Sequence, residues 1–435
     1  MLEKKSGKYK EGGTKDLLLK YGKGSLCLNM EELVQANIIT ANERPGVKSP
    51  IQLVRERLKA PLGTLPLSHI VRNKKPEKVV IVVNDLTRPT PNDILLPPIL
   101  ETLHREGVKE DQVTFLVATG IHEPHTVEQN KQIFGENLVE RYRFISHDCD
   151  SENVKNLGAT SYGTPIFINS EVFEADLLIS VGVILPHYFA GFSGGRKSIL
   201  PGVASRETIE LNHSRMVELL DSMPPLETNP LSIEMVEGAR LAGLDFIVNV
   251  VPNSQKEIVE VVAGDFEKAW LEGVKISAEM YEIPLPEEVD VTFVSCGGFP
   301  RDINMYQAQK ALDHADRITK KGGTIVLLAE CPMGFGEETF ENFLRMSRTP
   351  MEVIEKIRQK FVLGGHKAFG IARVALNKEI LLISNFDQQQ TAMLFAQKVN
   401  DLDEALSFVK NKHGFSFSSV IMPGGSLTVP MIGVL

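Results

Sequence analysis

Short runs of apolar, mostly β-branched residues are the features that most constrain how this chain can fold, and Val79–Val83 is the clearest of them. A run without polar alternation predicts a strand buried on both faces, as in a parallel sheet covered by helices. Val113–Ala118 and Ala175–Val183 are runs of the same kind, and Ile94–Glu106 has helical spacing. Strands that alternate with helices in this way predict α/β units on a largely parallel sheet.

A second α/β pattern begins near residue 289. Its predicted strands are Val289–Ser295, Thr324–Ala329 and Glu379–Ser384, and its predicted helices are Asn304–Lys320, Met351–Phe361, Thr391–Val399 and Leu402–Lys410. The segment Ile283–Glu288 has the proline and charge content of a linker. The sequence therefore predicts an α/β fold of two α/β domains, residues 1–285 and 286–415, with a ligand cleft between them. In addition, Leu17–Leu28 has the pattern of a hairpin that turns at Gly22-Lys23-Gly24.

The composition is mildly acidic. Lys and Arg number 47 against 56 Asp and Glu, which gives a formal net charge of −9 and an isoelectric point near 5.7. Binding to a phosphate backbone needs a surplus of basic residues, so the balance argues against a nucleic-acid partner. A small anionic ligand held by a few local cations remains compatible with it.

The four cysteines, Cys27, Cys149, Cys296 and Cys331, lie far apart without a C-x-x-C pair. This spacing argues against a disulfide scaffold and against a structural zinc site. The first residues are polar and lack the apolar segment of a signal peptide. The longest apolar run is well short of the roughly 18 residues that a spanning helix needs. We therefore expect a soluble, cytoplasmic protein without a membrane partner.

Polar residues follow the first predicted strand, at the edge of the sheet where open α/β proteins bind ligands. Asp85, Thr87 and Arg88 offer a carboxylate, a hydroxyl and a bidentate cation. A turn with a helix cap would account for the same residues equally well. After the second strand, His122 stands two residues beyond Gly120 and is an acid–base candidate, although a solvated loop histidine is the simpler interpretation.

The segment after the third predicted strand, Pro186–Gly202, is the richest in reactive groups. It holds His187, the turn Ser193-Gly194-Gly195 and Lys197. Exposed N–H groups of such a turn can cradle a phosphate. The segment is nevertheless not a Walker A motif, because an arginine separates the last glycine from the lysine, and the chain has no G-x-G-x-x-G suited to NAD. Farther on, His213 falls on a predicted helix, where a structural role is the more common one.

In the second predicted domain, Tyr306, Gln307 and Lys310 follow a glycine-rich loop at a strand end. Tyr306 and Lys310 are four residues apart and so share a helix face. A solvated surface cation is the alternative interpretation of Lys310.

Together these motifs resemble the lactate racemase family, the nickel-dependent racemases and epimerases of 2-hydroxyacids. The resemblance covers most of the chain and rests on the order and spacing of short motifs. They are Asn84-Asp85-Leu86-Thr87-Arg88-Pro89-Thr90-Pro91, Thr119-Gly120-Ile121-His122, Pro186-His187 through Gly202, His213, Tyr306-Gln307-Ala308-Gln309-Lys310 and Pro423-Gly424-Gly425-Ser426.

The resemblance implies a racemase or epimerase that abstracts and returns a hydride through a nickel-pincer nucleotide, pyridinium-3,5-bisthiocarboxylic acid mononucleotide. Lys197 would carry this cofactor covalently and His213 would bind the nickel. His122 and His187 would be the acid–base pair, and Arg88 and Lys310 would act on the substrate. The residues implied in cofactor binding are Asp85, Thr87, Ser193, Gly194, Gly195, Tyr306 and Gln307. The family also implies partner proteins that synthesise and load the cofactor, and a C-terminal segment, 416–435, that packs on the first domain.

One departure from the family concerns the substrate. The family pattern has a Trp near the substrate in the second domain, whereas the single Trp here is Trp270, in the first. The comparable region, Gly364–Ala368, contains His366 and Lys367. Positive charge there suits a polyhydroxy or dicarboxylic acid better than lactate.

Two other classes of function compete with this interpretation. Another oxidoreductase or a phosphoryl-transfer enzyme on the same scaffold is disfavoured by the missing nucleotide motifs. A non-catalytic ligand-binding protein is disfavoured because no chemical residue that the resemblance implies has been lost.

Overall fold

The computed structural model describes residues 16–219 and 224–433, which fall into two compact units. The central unit comprises residues 41–283 and 356–363. The terminal unit combines residues from both ends of the chain, 16–40, 284–355 and 364–433. The chain passes from the central to the terminal unit between Ile283 and Pro284.

The strands are, in chain order, β1 (Asp16–Tyr21), β2 (Gly24–Asn29), β3 (Gln35–Ile38), β4 (Val79–Asn84), β5 (Val113–Ala118), β6 (Arg143–Ser146), β7 (Val154–Ala159), β8 (Pro165–Asn169), β9 (Leu177–Val183), β10 (Pro186–His187), β11 (Gly191–Phe192), β12 (Phe246–Pro252), β13 (Ile258–Gly264), β14 (Glu282–Leu285), β15 (Val289–Ser295), β16 (Thr319–Leu328), β17 (Glu379–Ile383), β18 (Gln397–Lys398), β19 (Ser418–Met422) and β20 (Val429–Ile432).

The α-helices are α1 (Pro50–Lys59), α2 (Leu67–Lys74), α3 (Asn92–Arg105), α4 (Val127–Phe134), α5 (Glu136–Arg141), α6 (Ser170–Phe173), α7 (Arg206–Ser214), α8 (Pro230–Leu241), α9 (Lys268–Tyr281), α10 (Met305–Asp316), α11 (Glu338–Arg345), α12 (Pro350–Gln359), α13 (Gly365–Asn377), α14 (Gln388–Met393) and α15 (Leu402–His413). Within 16–219 and 224–433, none of these helices combines the length and apolar character needed to cross a membrane.

The sheet of the central unit has the strand order β13-β12-β9-β4-β5-β6. All neighbouring pairs are parallel except β12 and β13. From β4 the chain adds β5 and β6 on one side and then β9 and β12 on the other. This reversal creates a topological switch point between β4 and β9, where open α/β sheets place their ligand sites.

Burial of β4 on both faces confirms the prediction from its apolar run. All five residues of Val79–Val83 have no exposed surface, and β5 and β9 are nearly as deeply buried. Helices cover this sheet, and the side chains of Val54 on α1 and of Leu95 and Ile99 on α3 complete its core.

The sheet of the terminal unit has the order β18-β17-β16-β15-β19-β3, and all its neighbouring strands are parallel. The β1–β2 hairpin turns as predicted, with Tyr21 opposite Gly24. Its buried Leu19 and Leu28 join the core formed by Phe293 and the neighbouring strands. The fold is therefore α/β, as expected.

The prediction that residues 416–435 pack on the first domain is wrong. The run Ser418–Met422 forms β19, which pairs with β15 in the terminal unit. The N–H of Gly425 donates to the carbonyl of Ser295 at 2.8 Å, and the ring of His314 bonds the carbonyl of Gly425 at 2.7 Å. Residues 16–40, which we assigned to the first domain, also belong to the terminal unit, because β3 pairs with β19 there.

One shorter prediction also needs correction. The expected helix Thr391–Val399 is instead the short helix α14, which is capped by Asp387 and is followed by the edge strand β18. The turn chemistry of the capping residue outweighed the average character of this segment. The expected linker Ile283–Glu288 does contain the passage between the two units, and its first residues belong to strand β14.

Leu19 and Leu18 provide a matched test of the hairpin's place in the terminal core, because Leu19 has no exposed surface and Leu18 is 66% exposed. Leu19→Ala should cost about 2–5 kcal/mol of unfolding free energy, since it leaves a cavity. The loss should lower the thermal midpoint, followed by circular dichroism, by about 5 °C or more. Leu18→Ala on the same strand should change it by about 1 °C at most. Equal effects of the two changes would contradict the packing of the hairpin described here.

Candidate active site

The predicted site residues of the central unit follow the carboxyl ends of three adjacent strands at the switch point. Asp85 follows β4, His122 lies four residues beyond β5, and His187 closes the short strand β10 after β9. Because β9, β4 and β5 are adjacent and parallel, their carboxyl ends lie at one edge of the sheet. The sheet order therefore brings these loops to the same edge.

Asp85 and His122 form a hydrogen-bonded pair. The Nδ1 atom of His122 lies 2.6 Å from Oδ2 of Asp85, and the hydroxyl of Thr87 donates to Oδ1 at 2.7 Å. Burial by itself raises the pKa of Asp85, but the bonds from His122 and Thr87 and the charge of Arg88 outweigh it, so this pKa is lowered. An ionised carboxylate accepts a proton-bearing Nδ1, which leaves Nε2 of His122 as the acceptor atom.

The two side chains of this pair differ strongly in exposure. The side chain of Asp85 is 5% exposed and that of His122 is 47% exposed. The carboxylate thus supports the ring from the interior, and the ring faces outward. Arg88 is exposed nearby.

His125 ties the loop after β4 to the loop after β5. The N–H of Leu86 donates to Nε2 of His125 at 3.2 Å, and Nδ1 of His125 bonds Oδ1 of Asn130 at 3.0 Å. His125 therefore helps to keep Asp85 beside His122. The sequence interpretation did not include it.

The turn that precedes Lys197 is fixed by hydrogen bonds within the protein. The N–H groups of Ser193, Gly195 and Lys197 donate to Leu185 O, Asn249 Oδ1 and Gly194 O at 2.9, 2.7 and 3.1 Å. The hydroxyl of Ser193 donates to the carbonyl of Val183 at 2.8 Å. The expectation of a turn with exposed N–H groups is therefore wrong at these three positions, because each N–H already has an acceptor.

Gly195 shows why this turn needs glycine. Its φ is +49°, and an added Cβ would lie 2.8 Å from the ring of Trp270. The indole N–H of Trp270 in turn donates to the carbonyl of Ser193 at 3.0 Å. Trp270 is therefore the surface on which the turn packs, and this gives the single tryptophan a structural position beside Lys197.

The ring of Phe189 is the common neighbour of three predicted site residues. Its centroid lies 4.5 Å from the ring of His187 and 4.8 Å from the ring of His213, both edge-on. The Nζ atom of Lys197 lies 5.1 Å from the same centroid. The structure therefore brings His187, Lys197 and His213 together around one aromatic side chain.

His213, in the last turn of α7, is buried with 6% of its surface exposed. Burial first, and the nearby charge of Lys197 second, lower its pKa to about 3. The ring is therefore neutral at pH 7. Its Nδ1 atom has no hydrogen-bond partner among the described residues. A buried neutral imidazole with an unused ring nitrogen fits a ligand for a divalent transition metal such as nickel.

A buried carboxylate holds the helix that carries His213. Glu234 on α8 has no exposed surface and accepts hydrogen bonds from Asn212 at 3.0 Å, Arg215 at 2.8 Å and Thr160 at 2.7 Å. Asn212 and Arg215 flank His213 in the sequence. The position of His213 is therefore set from α8, by a residue that sequence reasoning did not single out.

The loop that carries His122 is linked to the Lys197 turn through the backbone. The N–H of Gly120 donates to the carbonyl of Gly202 at 3.0 Å, and the N–H of Gly202 donates to the carbonyl of Lys197 at 3.1 Å. His187, Lys197 and His213 are thus grouped around Phe189, and the loop of His122 is hydrogen-bonded to the segment that follows Lys197.

The remaining predicted residues form a cluster of their own in the terminal unit. The amine of Lys310 donates to the side-chain oxygen of Gln307 at 3.0 Å. The ring of Tyr306 has the Nζ atom of Lys367 5.3 Å from its centroid and the ring of His366 at 6.4 Å. Lys367 is buried and donates to Gln309 at 2.8 Å.

Two family models match most of the chain. The model of the lactate racemase N-terminal domain matches residues 21–222, and the model of the lactate racemase C-terminal domain matches residues 286–429. The chain belongs to the lactate racemase family. It is 35% identical over 401 residues to the lactate racemase of Thermoanaerobacterium thermosaccharolyticum, an alignment that covers 90% of this chain and 93% of the relative. The lactate racemase of Lactiplantibacillus plantarum is 34% identical over 385 residues, with 86% and 89% covered.

A solved structure of a family member has the same fold. The lactate racemase apoprotein from T. thermosaccharolyticum matches with a TM-score of 0.88 and 33% identity, covering 96% of this chain and 100% of that one. A Thermotoga maritima protein with a TM-score of 0.65 and 17% identity, matched over 89% of this chain and all of that one, shares the fold alone.

Glu234 and Glu207 allow a test of what fixes the helix of His213. Glu234→Gln replaces the buried acceptor of Arg215 with a neutral amide, which should cost about 3 kcal/mol or more. The thermal midpoint should fall by about 6 °C or more. Glu207→Gln changes an exposed residue in the first turn of the same helix and should leave the midpoint within about 1 °C. A wild-type midpoint in Glu234→Gln would show that this carboxylate does not hold α7.

Proposed function

We propose that the chain is a racemase or epimerase of a small 2-hydroxyacid, and that it works with a nickel-pincer nucleotide attached to Lys197. The observation that carries the proposal is the grouping of His187, Lys197 and His213 around the ring of Phe189. Membership of the lactate racemase family supports the reaction class. The proposal also includes loading of the cofactor by separate synthesis proteins.

Two residues of the central unit would hold the cofactor. The amine of Lys197 would form the covalent bond, a thioamide, and a ring nitrogen of His213 would bind the nickel. His213 suits this role because it is neutral at pH 7 and its Nδ1 atom makes no hydrogen bond within the described chain. When bound, the cofactor supplies the electrophile for hydride chemistry at C2 of the substrate.

His122 would exchange a proton with the substrate hydroxyl through Nε2. Asp85 holds the opposite nitrogen at 2.6 Å, so the ring keeps a fixed orientation. The carboxylate also stabilises the positive charge that His122 carries when it has taken up a proton, as in other carboxylate–histidine pairs. Asp85 thus acts through His122 and need not touch the substrate.

His187 would be the second acid–base residue. Its Nδ1 atom accepts the N–H of Ala190 at 3.4 Å, and its ring stacks on Tyr188. The two enantiomers carry the hydroxyl on different sides of C2. A proton taken by one histidine as the ketoacid forms is therefore matched by a proton given from the other, and one of the pair starts each turnover protonated.

Cationic and polar groups would recognise the substrate. Arg88 and Lys310 would bind its carboxylate, and Thr87, Tyr306 and Gln307 would support substrate and cofactor. We include His366 and Lys367 among the specificity residues, since both lie beside Tyr306. The positive charge of Lys367 favours a polyhydroxy or dicarboxylic acid, whereas the two relatives are named for lactate.

The direct test uses protein made in a host that synthesises and loads the cofactor. We expect interconversion of the two configurations at C2 of at least one acid in a panel of lactate, malate and aldonic acids, measured by chiral chromatography. Lys197→Ala should lose both the covalent adduct of several hundred daltons and all activity, with an unchanged thermal midpoint. Lys131→Ala, an ion-paired residue of α4, is the matched control and should retain both. An undiminished adduct in Lys197→Ala would refute the attachment site.

His213→Ala should lose nickel while the organic adduct stays on Lys197, because one metal ligand is missing and the covalent bond is not. Metal analysis and intact mass, measured on the same preparation, separate the two. His69→Ala replaces an exposed histidine of α2 and should keep the nickel. Full nickel occupancy in His213→Ala would exclude His213 as the ligand.

Asp85→Asn should lower kcat/KM by roughly 10² to 10⁴, as expected when a histidine loses its orienting carboxylate. The pKa of Asp85 lies below its ordinary value of 3.8, so the wild-type carboxylate stays charged above about pH 5. The loss of activity should therefore be present at every pH above that value. Asp111→Asn, at an exposed position, should have no effect. Wild-type kinetics in Asp85→Asn would remove this pair from the mechanism.

A further inference from the structure

Arg196, which directly precedes Lys197, is a fully buried arginine. Its Nη2 atom donates to the carbonyl of Ala190 at 2.8 Å and to the hydroxyl of Ser232 at 3.0 Å. Its Nη1 atom donates to the carbonyl of Phe192 at 3.2 Å. The guanidinium fork is thus occupied mainly by backbone carbonyls of the segment between His187 and the Gly-rich turn.

Arg196 has no ion pair to a carboxylate among the described residues. Its guanidinium carbon lies 3.7 Å from the ring centroid of Trp270. Burial lowers its pKa to about 9, so the group is still protonated at neutral pH. Burying a cation without a counter-charge is costly. A neutral side chain of similar size would avoid this cost, so the guanidinium must make contacts that such a side chain could not make.

The carbonyls that Arg196 binds belong to the β10–β11 hairpin. In this hairpin His187 pairs with Gly191, and Phe189 lies between them. In addition, the side-chain amide of Asn229 donates to the carbonyl of Phe189 at 2.7 Å. The backbone of the hairpin that carries Phe189 is therefore bonded by both Arg196 and Asn229, and the ring of Phe189 is the shared neighbour of His187, His213 and Lys197.

We propose that Arg196 is a positioning residue that fixes the His187–Phe192 hairpin relative to the Lys197 amine. The inference rests on the proposed function for its catalytic consequence, although the geometry it describes can be tested in protein without cofactor. The side chains of Arg196 and Lys197 have different contacts. That of Arg196 binds the hairpin carbonyls and Trp270 in the interior, and that of Lys197 reaches the Phe189 ring.

The arrangement depends on the shape of the guanidinium and not only on its charge. A planar fork can donate to Ala190, Phe192 and Ser232 while stacking on Trp270, whereas an ammonium cannot do both. Arg196→Lys should therefore not keep the function of the wild type. If the charge alone mattered, the lysine variant would behave as wild type.

The test follows two properties of Lys197 in Arg196→Lys and Arg196→Met. The first is the rate at which an amine-acetylating reagent modifies Lys197 in cofactor-free protein, measured by peptide mass spectrometry. We expect it to rise by about fivefold or more, because the amine is no longer held at the Phe189 ring. The second is activity of loaded enzyme per adduct, which should fall by about 10² in kcat for misplaced reacting groups. Arg206→Met, which breaks an exposed ion pair at the start of α7, is the control and should change neither.

Ser232→Ala keeps the proposal testable if the arginine variants fail to fold. It removes one acceptor of the fork and should give smaller changes of the same sign, about twofold to threefold in labelling rate. Wild-type labelling and kcat in a folded Arg196→Met would overturn the proposal. If the wild-type enzyme carries no cofactor adduct and is inactive in every substrate assay, the proposed function is refuted instead. The comparison of acetylation rates would still decide whether Arg196 positions the hairpin.

Discussion

The reversal of strand order between β4 and β9 is the constraint on which the rest of the central unit depends. Parallel strands end at the same edge of a sheet, so every loop that leaves β4, β5 or β9 starts there. The backbone groups at such an edge need partners. Here they are supplied by short, strongly bonded loops, and those loops carry Asp85, His122, His187 and Lys197. The strand order alone therefore places the loops that carry these residues at one edge of the sheet.

Within this edge, two electrostatic environments are kept apart. His122 has a buried carboxylate behind it and is half exposed, which suits a group that changes its charge. His213 has burial and the Lys197 charge around it, which together keep it neutral. Both rings are imidazoles, and their different surroundings are the basis on which we propose proton exchange for His122 and metal binding for His213. Two arginines of the central unit also have different electrostatic environments. Arg215 forms an ion pair with Glu234, whereas Arg196 binds backbone carbonyls.

Much of the architecture could be predicted from the sequence, because fully buried parallel strands have a pattern that few other elements share. The runs at Val79–Val83 and Val113–Ala118 are strands with bounds within one residue of those expected. The place of the chain ends was missed for a physical reason. A parallel sheet can add strands from any distance in the sequence, and neither Gln35–Ile38 nor Ser418–Met422 reveals which sheet it will join. The resemblance motifs contain the residues to which we assign the chemistry, but not the side chains that hold them, such as Glu234, Asn249 and Trp270.

Those supporting side chains share one property, which is that each lies in a segment that looks purely structural. Asn249 is a buried amide in the apolar strand β12, and it accepts the N–H of Gly195 at 2.7 Å. Trp270 is on α9, far along the chain from Lys197, and excludes any side chain at Gly195. A buried amide or indole costs free energy unless its polar atoms find partners. The side-chain oxygen of Asn249 and the indole N–H of Trp270 both bond the backbone of the turn before Lys197, whereas the amide nitrogen of Asn249 has no partner among the described residues. These two groups in the core of the central unit therefore fix the turn that leads to Lys197.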